Sequence, residues 1–256
     1  PSGMVAQIGS GVTRFKEGDR VTGGISKGFA THSLAAEEDL LPVPDGVDLQ
    51  HAIAEPLMCV SNIVRAAAPK FGDHVAVVGC GQLSLLAIAA LRQEGLGSLI
   101  AVDRIGWRLD LARKIGATHA VGADSEDPVE VVEEITNGGA DVVVEVTGKP
   151  GGLELSADLI RMGQGTLVMA GFHQVRDQYY LRQFAFKGLI AHQAHPHYSP
   201  DVMADYARAL AALERGVFPM DLIVTERYSL ERVGDGFEAL ISHREGFLKG
   251  IVVPQL

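Results

Sequence analysis

The chain has 256 residues, of which 47% are hydrophobic and 21% are charged, an ordinary composition for a folded protein. Its net charge of −10, without a basic cluster, argues against nucleic acid or an anionic membrane surface as a partner. No apolar run approaches the roughly 20 residues that span a bilayer. The two cysteines, Cys59 and Cys80, lie in apolar sequence and indicate buried thiols in a reduced, cytoplasmic compartment.

The N-terminal part of the chain predicts a small β-rich unit. Short apolar runs punctuated by Gly, Pro and Asp are typical of short strands joined by tight turns. The pattern predicts such strands at residues 4–8, 18–21, 29–34 and 40–44.

From about Leu57 the pattern changes to alternating helices and strands. Val- and Ile-rich strands are predicted at residues 75–78, 99–102, 119–121, 141–145, 166–170 and 188–191. Strands of this kind, separated by helical segments, favour an α/β fold with a doubly wound parallel sheet. The remainder predicts helices at 202–214 and 230–241 and a closing strand at 249–253.

A glycine-rich turn follows the first strand of this series at once. Gly79 permits a tight strand-to-helix turn, and Gly81 lets a pyrophosphate approach the backbone. Gln82 and Leu83 then open an apolar helix, whose N-terminus attracts an anion. A glycine turn that only joins a strand to a helix is the alternative interpretation.

The next strand ends in an acidic residue, Asp103, at the spacing of a dinucleotide site. Its carboxylate would accept both hydroxyls of an adenosine ribose and repel a 2′-phosphate, which predicts NAD as the cofactor. Arg104 could stack on adenine, but an exposed ion-paired arginine is an equally good interpretation. Ser84 stands where the motif usually has its third glycine, and it is small enough for close helix packing.

These spaced motifs resemble those of the medium-chain, zinc-dependent alcohol and polyol dehydrogenases, in a branch similar to sorbitol and threonine dehydrogenases. The matching segments lie at residues 11–21, 42–46, 55–57, 79–84, 102–118, 141–148, 187–188 and 246–249. The resemblance implies a partial GroES-like catalytic domain at 1–56 and a Rossmann NAD-binding domain at 57–195. Residues 196–256 would return to the catalytic domain.

The resemblance also implies further cofactor-binding residues. Thr147 and Gly148 match a turn that passes beneath the adenosine, and Gly171, Phe172 and His173 match a segment that flanks the nicotinamide. Lys249 matches a basic residue that reaches the pyrophosphate, with an ordinary solvated lysine as the alternative.

Glu55 is the candidate metal ligand. The family places the third protein ligand of its catalytic zinc at this position, and a carboxylate can bind zinc directly or through a water. The alternative is a surface glutamate ahead of Pro56. The family's other two ligands, a cysteine and the histidine of a Gly-His-Glu motif, precede the segment that resembles residues 1–5. We therefore expect an N-terminally incomplete chain that does not retain the catalytic zinc, and, with no cysteine at 21–29, no structural zinc.

The histidines of the C-terminal half suggest a second grouping. His192, His195 and His197 could be drawn as a metal site, but they lie on an irregular segment beside Pro196, so we do not expect one. His32 and His51 are predicted at the surface.

The implied function is reversible hydride transfer between NAD and a secondary alcohol, polyol or sugar-like substrate, with zinc polarising the substrate oxygen. The family also implies a homodimer or homotetramer. Two alternatives stay open: a zinc-free enone or quinone reductase of the same superfamily, and a non-catalytic NAD-binding protein. The residues that would catalyse the reaction are not assigned by the sequence.

Overall fold

The computed structural model describes residues 1–25, 27–174, 176–196 and 199–254. The chain forms two compact units. One contains Pro1–Ser61 together with Pro200–Leu256, and the other is Asn62–Ser199. None of the described helices combines the length and the apolar character that crossing a bilayer requires.

The first unit begins with an antiparallel sheet of three short strands, β1 (Ser2–Met4), β2 (Arg20–Gly23) and β3 (Leu40–Pro42), in that spatial order. Thr22 in β2 is buried and donates its hydroxyl to the Ala52 carbonyl at 2.7 Å. Arg20 donates to the Pro44 and Asp45 carbonyls at 2.9 Å each, which ties β2 to the loop after β3. Helix α1 (Ala54–Ala67) follows and runs across the boundary into the second unit.

The second unit is a parallel sheet covered by helices. Its strands are β4 (His74–Val78), β5 (Ser98–Asp103), β6 (His119–Gly122), β7 (Val142–Glu145), β8 (Thr166–Met169) and β9 (Ile190–Gln193). Its further helices are α2 (Gln82–Leu91), α3 (Gly106–Ile115), α4 (Pro128–Thr136), α5 (Pro150–Leu159) and α6 (Arg182–Phe186). The strand order is β6-β5-β4-β7-β8-β9, so the winding direction reverses between β4 and β7. The predicted α/β fold with a doubly wound parallel sheet is confirmed.

The core of this unit explains why its sequence is so apolar. Val75 of β4 lies between Leu99 of β5 and Val142 of β7, and helices cover the sheet, so the central strands are almost fully excluded from water. Such strands need apolar side chains on both faces. The reversal between β4 and β7 opens a crevice at their carboxyl ends, where ligands of this fold class bind.

The chain then completes the first unit with α7 (Val202–Glu214), α8 (Met220–Ile223), β10 (Glu226–Tyr228), α9 (Val233–Ile241) and β11 (Gly250–Val252). β10 and β11 pair in parallel, with Tyr228 opposite Val252. Tyr228, Ala239 and Phe247 form a small buried cluster where α9 meets this pair.

Two of the predicted strands in the first unit need correction. The strand predicted at 29–34 is wrong: residues 29–32 form a bend, and the Phe29 and Leu34 side chains are 59% and 89% exposed. The strand predicted at 4–8 lies instead at Ser2–Met4, because only these residues find a pairing partner on β2. An apolar run becomes a strand only where a neighbouring strand accepts its hydrogen bonds. The helix predicted at 230–241 begins with a 3₁₀ turn at Leu230–Arg232 before α9.

Candidate cofactor site

The turn between β4 and α2 has the backbone shape that the glycine motif predicts. Gly79 has a φ of +93°, a conformation that side chains disfavour, and a Cβ there would lie 3.0 Å from the Thr147 Cγ2 atom. Gly81 precedes the helix, and a Cβ at Gly81 would meet no described atom within 4 Å. The space in front of Gly81 therefore admits a ligand to the first-turn N–H groups of α2.

Two features of this helix start fit an anionic, hydrogen-bonding ligand. Gly81 has no side chain to accept bonds from the first-turn N–H groups, so these donors and the helix dipole face the open space. The Oε1 atom of Gln82 is buried and finds no hydrogen-bond partner among the described residues. A dinucleotide, which carries a pyrophosphate and ribose hydroxyls, matches both features.

Asp103 lies at the carboxyl end of β5, directly beside the glycine turn. Its Oδ2 accepts the Cys80 N–H at 2.5 Å, and its Oδ1 accepts the Ile105 N–H at 2.8 Å. These bonds fix the carboxylate, and each oxygen keeps a lone pair for a ribose hydroxyl. Burial, and then the charge of Asp103, raise the pKa of the Cys80 thiol, so Cys80 is an inert part of the turn.

The Arg104 side chain forms an ion pair with Asp124. Its Nε lies 2.8 Å from Asp124 Oδ1 in an exposed ion pair. Of the two interpretations open at the sequence level, the structure shows the ion pair, and adenine stacking stays a prediction.

The segments after β7 and β8 meet backbone to backbone. A Cβ on Gly171 would lie 2.4 Å from the Gly148 nitrogen and 2.5 Å from Glu145 Oε2, so this approach requires glycine. Thr147 in turn contacts the position of Gly79. The structure therefore brings together the predicted residues Gly79, Thr147, Gly148 and Gly171 at one edge of the sheet.

His173 is held in the same place by side-chain hydrogen bonds. Its Nε2 lies 3.0 Å from Glu145 Oε2, and its Nδ1 lies 3.2 Å from the Tyr179 hydroxyl. Phe172 is largely exposed and its ring lies against His195 at 5.5 Å between centroids. Sequence reasoning did not assign Glu145 or Tyr179 to the site. An acidic residue that ends an otherwise apolar strand was a usable signal for Glu145, whereas Tyr179 had none.

The first unit contains the candidate metal ligand. Glu55 is exposed in the first turn of α1, and its Oε1 lies 3.4 Å from the Cys59 Sγ one turn later. Burial and the nearby Glu55 carboxylate raise the pKa of the Cys59 thiol to about 12. Cys59 is thus buried, as predicted, and protonated at neutral pH.

The Lys249 ammonium interacts electrostatically with the Glu55 carboxylate. Burial lowers the pKa of the Lys249 ammonium, and the Glu55 carboxylate partly offsets that effect. Lys249 is half-buried, and its predicted contact with the pyrophosphate stays a prediction.

At the candidate metal position the structure describes one carboxylate, Glu55, beside one thiol, Cys59. Within residues 1–25, 27–174, 176–196 and 199–254, no three His, Cys, Asp or Glu side chains gather as a metal-binding group. Glu55 would supply one of the three protein ligands that a catalytic zinc takes, and its role as a ligand stays a prediction.

The other histidines of interest differ in exposure. His192 is exposed on β9, His32 is exposed, and His197 lies outside the described residues. His51 was predicted at the surface but is half-buried, with its Nε2 atom 3.5 Å from Asp221 Oδ1. The turn that carries His51 packs beside α8, which explains the difference.

Comparison with known proteins gives a consistent result. The sequence model of the zinc-binding dehydrogenase family matches residues 83–210, which is half of the chain. The chain is 28% identical over 274 residues to (R,R)-butanediol dehydrogenase of Bacillus subtilis (strain 168), covering 95% of this chain and 76% of that protein. It is 26% identical over 284 residues to sorbitol dehydrogenase of the same organism, covering 99% and 79%.

Comparison with solved structures identifies the same kinds of protein. The crystal structure of 2R,3R-butanediol dehydrogenase from Bacillus subtilis matches with a TM-score of 0.84 at 28% identity, over 99% of this chain and 79% of that one. A zinc-binding dehydrogenase of Sinorhizobium meliloti 1021, solved with NADP, matches with a TM-score of 0.86 at 26% identity, over 99% and 82%. The chain therefore belongs to the zinc-binding dehydrogenase family, the medium-chain alcohol and polyol dehydrogenases that its sequence motifs resemble.

Proposed function

We propose that this protein is an oxidoreductase that uses NAD to oxidise a secondary alcohol, a polyol or a sugar-like substrate. The proposal depends on the turn that contains Gly81 and Gln82, together with Asp103. The first-turn N–H groups of α2 face open space there, and the Asp103 carboxylate is held beside them by hydrogen bonds. The relatives act on butanediol and sorbitol by name, which supports a small hydroxylated substrate for this chain.

In this proposal each part of the sheet edge has one task. The α2 N-terminus, with Gln82 and Leu83, holds the pyrophosphate, and Asp103 accepts the adenosine ribose hydroxyls. Thr147 and Gly148 lie beneath the adenosine, and the segment 171–173 flanks the nicotinamide. When bound, the nicotinamide supplies the hydride acceptor.

Some expectations from the sequence remain proposals. Glu55 is retained as the predicted zinc ligand and Lys249 as the predicted pyrophosphate ligand. The division at residues 1–56, 57–195 and 196–256, the homodimer or homotetramer and the cytoplasmic location are retained as well.

NAD is preferred to NADP in this proposal because of Asp103. A fixed carboxylate attracts ribose hydroxyls and repels a 2′-phosphate, while the adjacent Arg104 is already paired with Asp124. We expect NAD to bind at least about tenfold more tightly than NADP, and Asp103→Asn to remove most of that preference. Calorimetric titration of both nucleotides measures this, with Asp110→Asn as a control that removes an exposed charge from α3. NADP binding as tight as NAD binding would contradict the proposal.

The reaction class is tested separately on the intact protein, because alcohol oxidation requires a complete zinc site. A panel of 2,3-butanediol, sorbitol and threonine with NAD, followed by NADH absorbance and with zinc content measured in parallel, should show alcohol oxidation. Reduction of enones with NADPH and no alcohol oxidation would instead favour the zinc-free reductase. NAD binding without turnover of any substrate would favour the non-catalytic alternative.

A further inference from the structure

A buried carboxylate lies at the carboxyl end of β7 and is fully hydrogen-bonded. Glu145 is 0% exposed. Its Oε1 accepts the Thr147 N–H at 2.7 Å, the Thr147 hydroxyl at 2.5 Å and the Gly148 N–H at 2.8 Å. Its Oε2 contacts His173 Nε2 at 3.0 Å. A buried carboxylate is tolerated only when its oxygens are hydrogen-bonded, and the three donors on Oε1 make Glu145 an acceptor there.

The bond to Glu145 determines which nitrogen of the His173 ring carries a proton. A carboxylate can only accept, so in this bond Nε2 of His173 carries the proton and donates it. In a neutral ring Nδ1 is then the acceptor, and the Tyr179 hydroxyl at 3.2 Å is placed to donate to it. The two rings meet edge to face, 5.7 Å apart at an angle of 72°, and the His173 side chain is 18% exposed. The ring is therefore fixed in tautomer and orientation.

This chain of bonds joins the two segments that meet at Gly148 and Gly171. Glycine at position 171 permits the close approach but does not stabilise it. A Cβ on Gly171 would collide with the Gly148 nitrogen. The attraction that maintains the approach comes from Glu145, which bonds the turn at Thr147 and Gly148 with one oxygen and His173 with the other.

We propose that His173 is a positioning residue for the nicotinamide end of the cofactor: bonded between Glu145 and Tyr179, it orders the segment 171–173 before the cofactor arrives. The proposal rests on the proposed NAD function of the sheet edge. Ordering the segment in the free protein removes an entropy cost from binding, so loss of the His173 bonds should weaken binding of any ligand that uses this segment.

Two ligands separate this role from a general structural one. NAD carries the nicotinamide and AMP does not. For His173→Leu we expect the Kd for NAD to rise about tenfold and the Kd for AMP to change by less than about twofold. His173→Gln, whose amide can still donate to Glu145, should recover most of the NAD affinity, and His192→Leu on exposed β9 is the matched control and should change neither Kd.

Tyr179→Phe and nitrogen NMR complete the test without removing the bond to Glu145. We expect the Nε2–H tautomer of His173 in the wild-type protein, a changed Nδ1 shift in Tyr179→Phe, and an NAD Kd about two- to threefold higher in that variant. Wild-type binding of NAD with unchanged Kd values in both His173 variants would overturn the positioning role alone, and so would equal weakening of NAD and AMP. If the wild-type protein binds AMP but not NAD, or binds neither, the proposed function itself fails.

Discussion

The two compact units bury their strands to very different degrees. In Asn62–Ser199 the central strands β4, β5 and β7 are almost fully excluded from water, whereas β1, β2 and β3 have three or four residues each and bury only part of them. A strand covered on both faces needs a continuous apolar run, which is visible in sequence. A short, half-covered strand has no such requirement, so its position depends on its pairing partner.

Removing a large side chain from the sheet core should have the largest effect. Ile100 in β5 is 0% exposed, and Ile100→Ala should lower the free energy of unfolding by about 3–4 kcal/mol through lost burial and a residual cavity. The matched control is Ile241→Ala in α9, where the side chain is 75% exposed and the change should stay within about 0.5 kcal/mol. Urea unfolding measures both, and equal losses would contradict the contrast between the units.

Adding one methyl group at the sheet edge should have the next largest effect. Gly171→Ala would place a Cβ against the Gly148 nitrogen and Glu145 Oε2, and we expect a loss of about 2–3 kcal/mol together with weaker NAD binding. Gly151→Ala in α5 is the control, because a Cβ there meets no described atom and should be neutral or stabilising by about 0.5 kcal/mol. A Gly171→Ala protein as stable as the wild type would show that the segments around Gly148 and Gly171 separate readily.

Removing the charge of Asp141 tests the opposite, amino-terminal side of the sheet. Its carboxylate accepts the His74 N–H at 2.9 Å and bonds Arg161 at 2.5 Å. Burial disfavours its charge, but these two bonds outweigh burial and lower its pKa. Asp141→Asn should cost about 1 kcal/mol at neutral pH through loss of the ionic bond to Arg161.

The pH dependence of that effect has a defined sign. A lowered pKa in the folded protein stabilises it above the pKa of the unfolded chain, and this contribution is lost as pH falls through the folded value. The difference between the wild type and Asp141→Asn should therefore shrink towards zero as the pH is lowered below about 4. Unfolding at a series of pH values measures it, and a difference that is constant with pH would contradict the assignment.

The smallest effect is expected at Arg104. Its ion pair with Asp124 is exposed on both sides, so Arg104→Ala should leave the unfolding midpoint unchanged. We also expect the Kd for NAD to change by less than about threefold, because the guanidinium is already paired. A larger rise in calorimetric titration, with no such rise for Asp124→Ala, would show that Arg104 stacks on the adenine.

Prediction from sequence succeeded for the sheet unit. The six parallel strands and the glycine turn could be predicted because each depends on residues that are close together in sequence. A buried strand needs apolar residues such as Val75, and the turn needs glycine at positions 79 and 81. Prediction failed at 29–34, where Phe29 and Leu34 give a strand-like pattern that no neighbour completes. His51 was predicted at the surface but is half-buried, since burial of a polar side chain depends on segments distant in the chain.

The sequence by itself determined the fold class, the family and the residues of the glycine turn with Asp103, because these follow from residue type and short spacing. Only the tertiary structure decided which residues complete the sheet edge. Glu145, His173 and Tyr179 are separated by loops and a strand, and their bonding depends on β7 and β8 ending side by side. Contacts between segments far apart in sequence leave no fixed spacing, so they are set by the packing of the sheet.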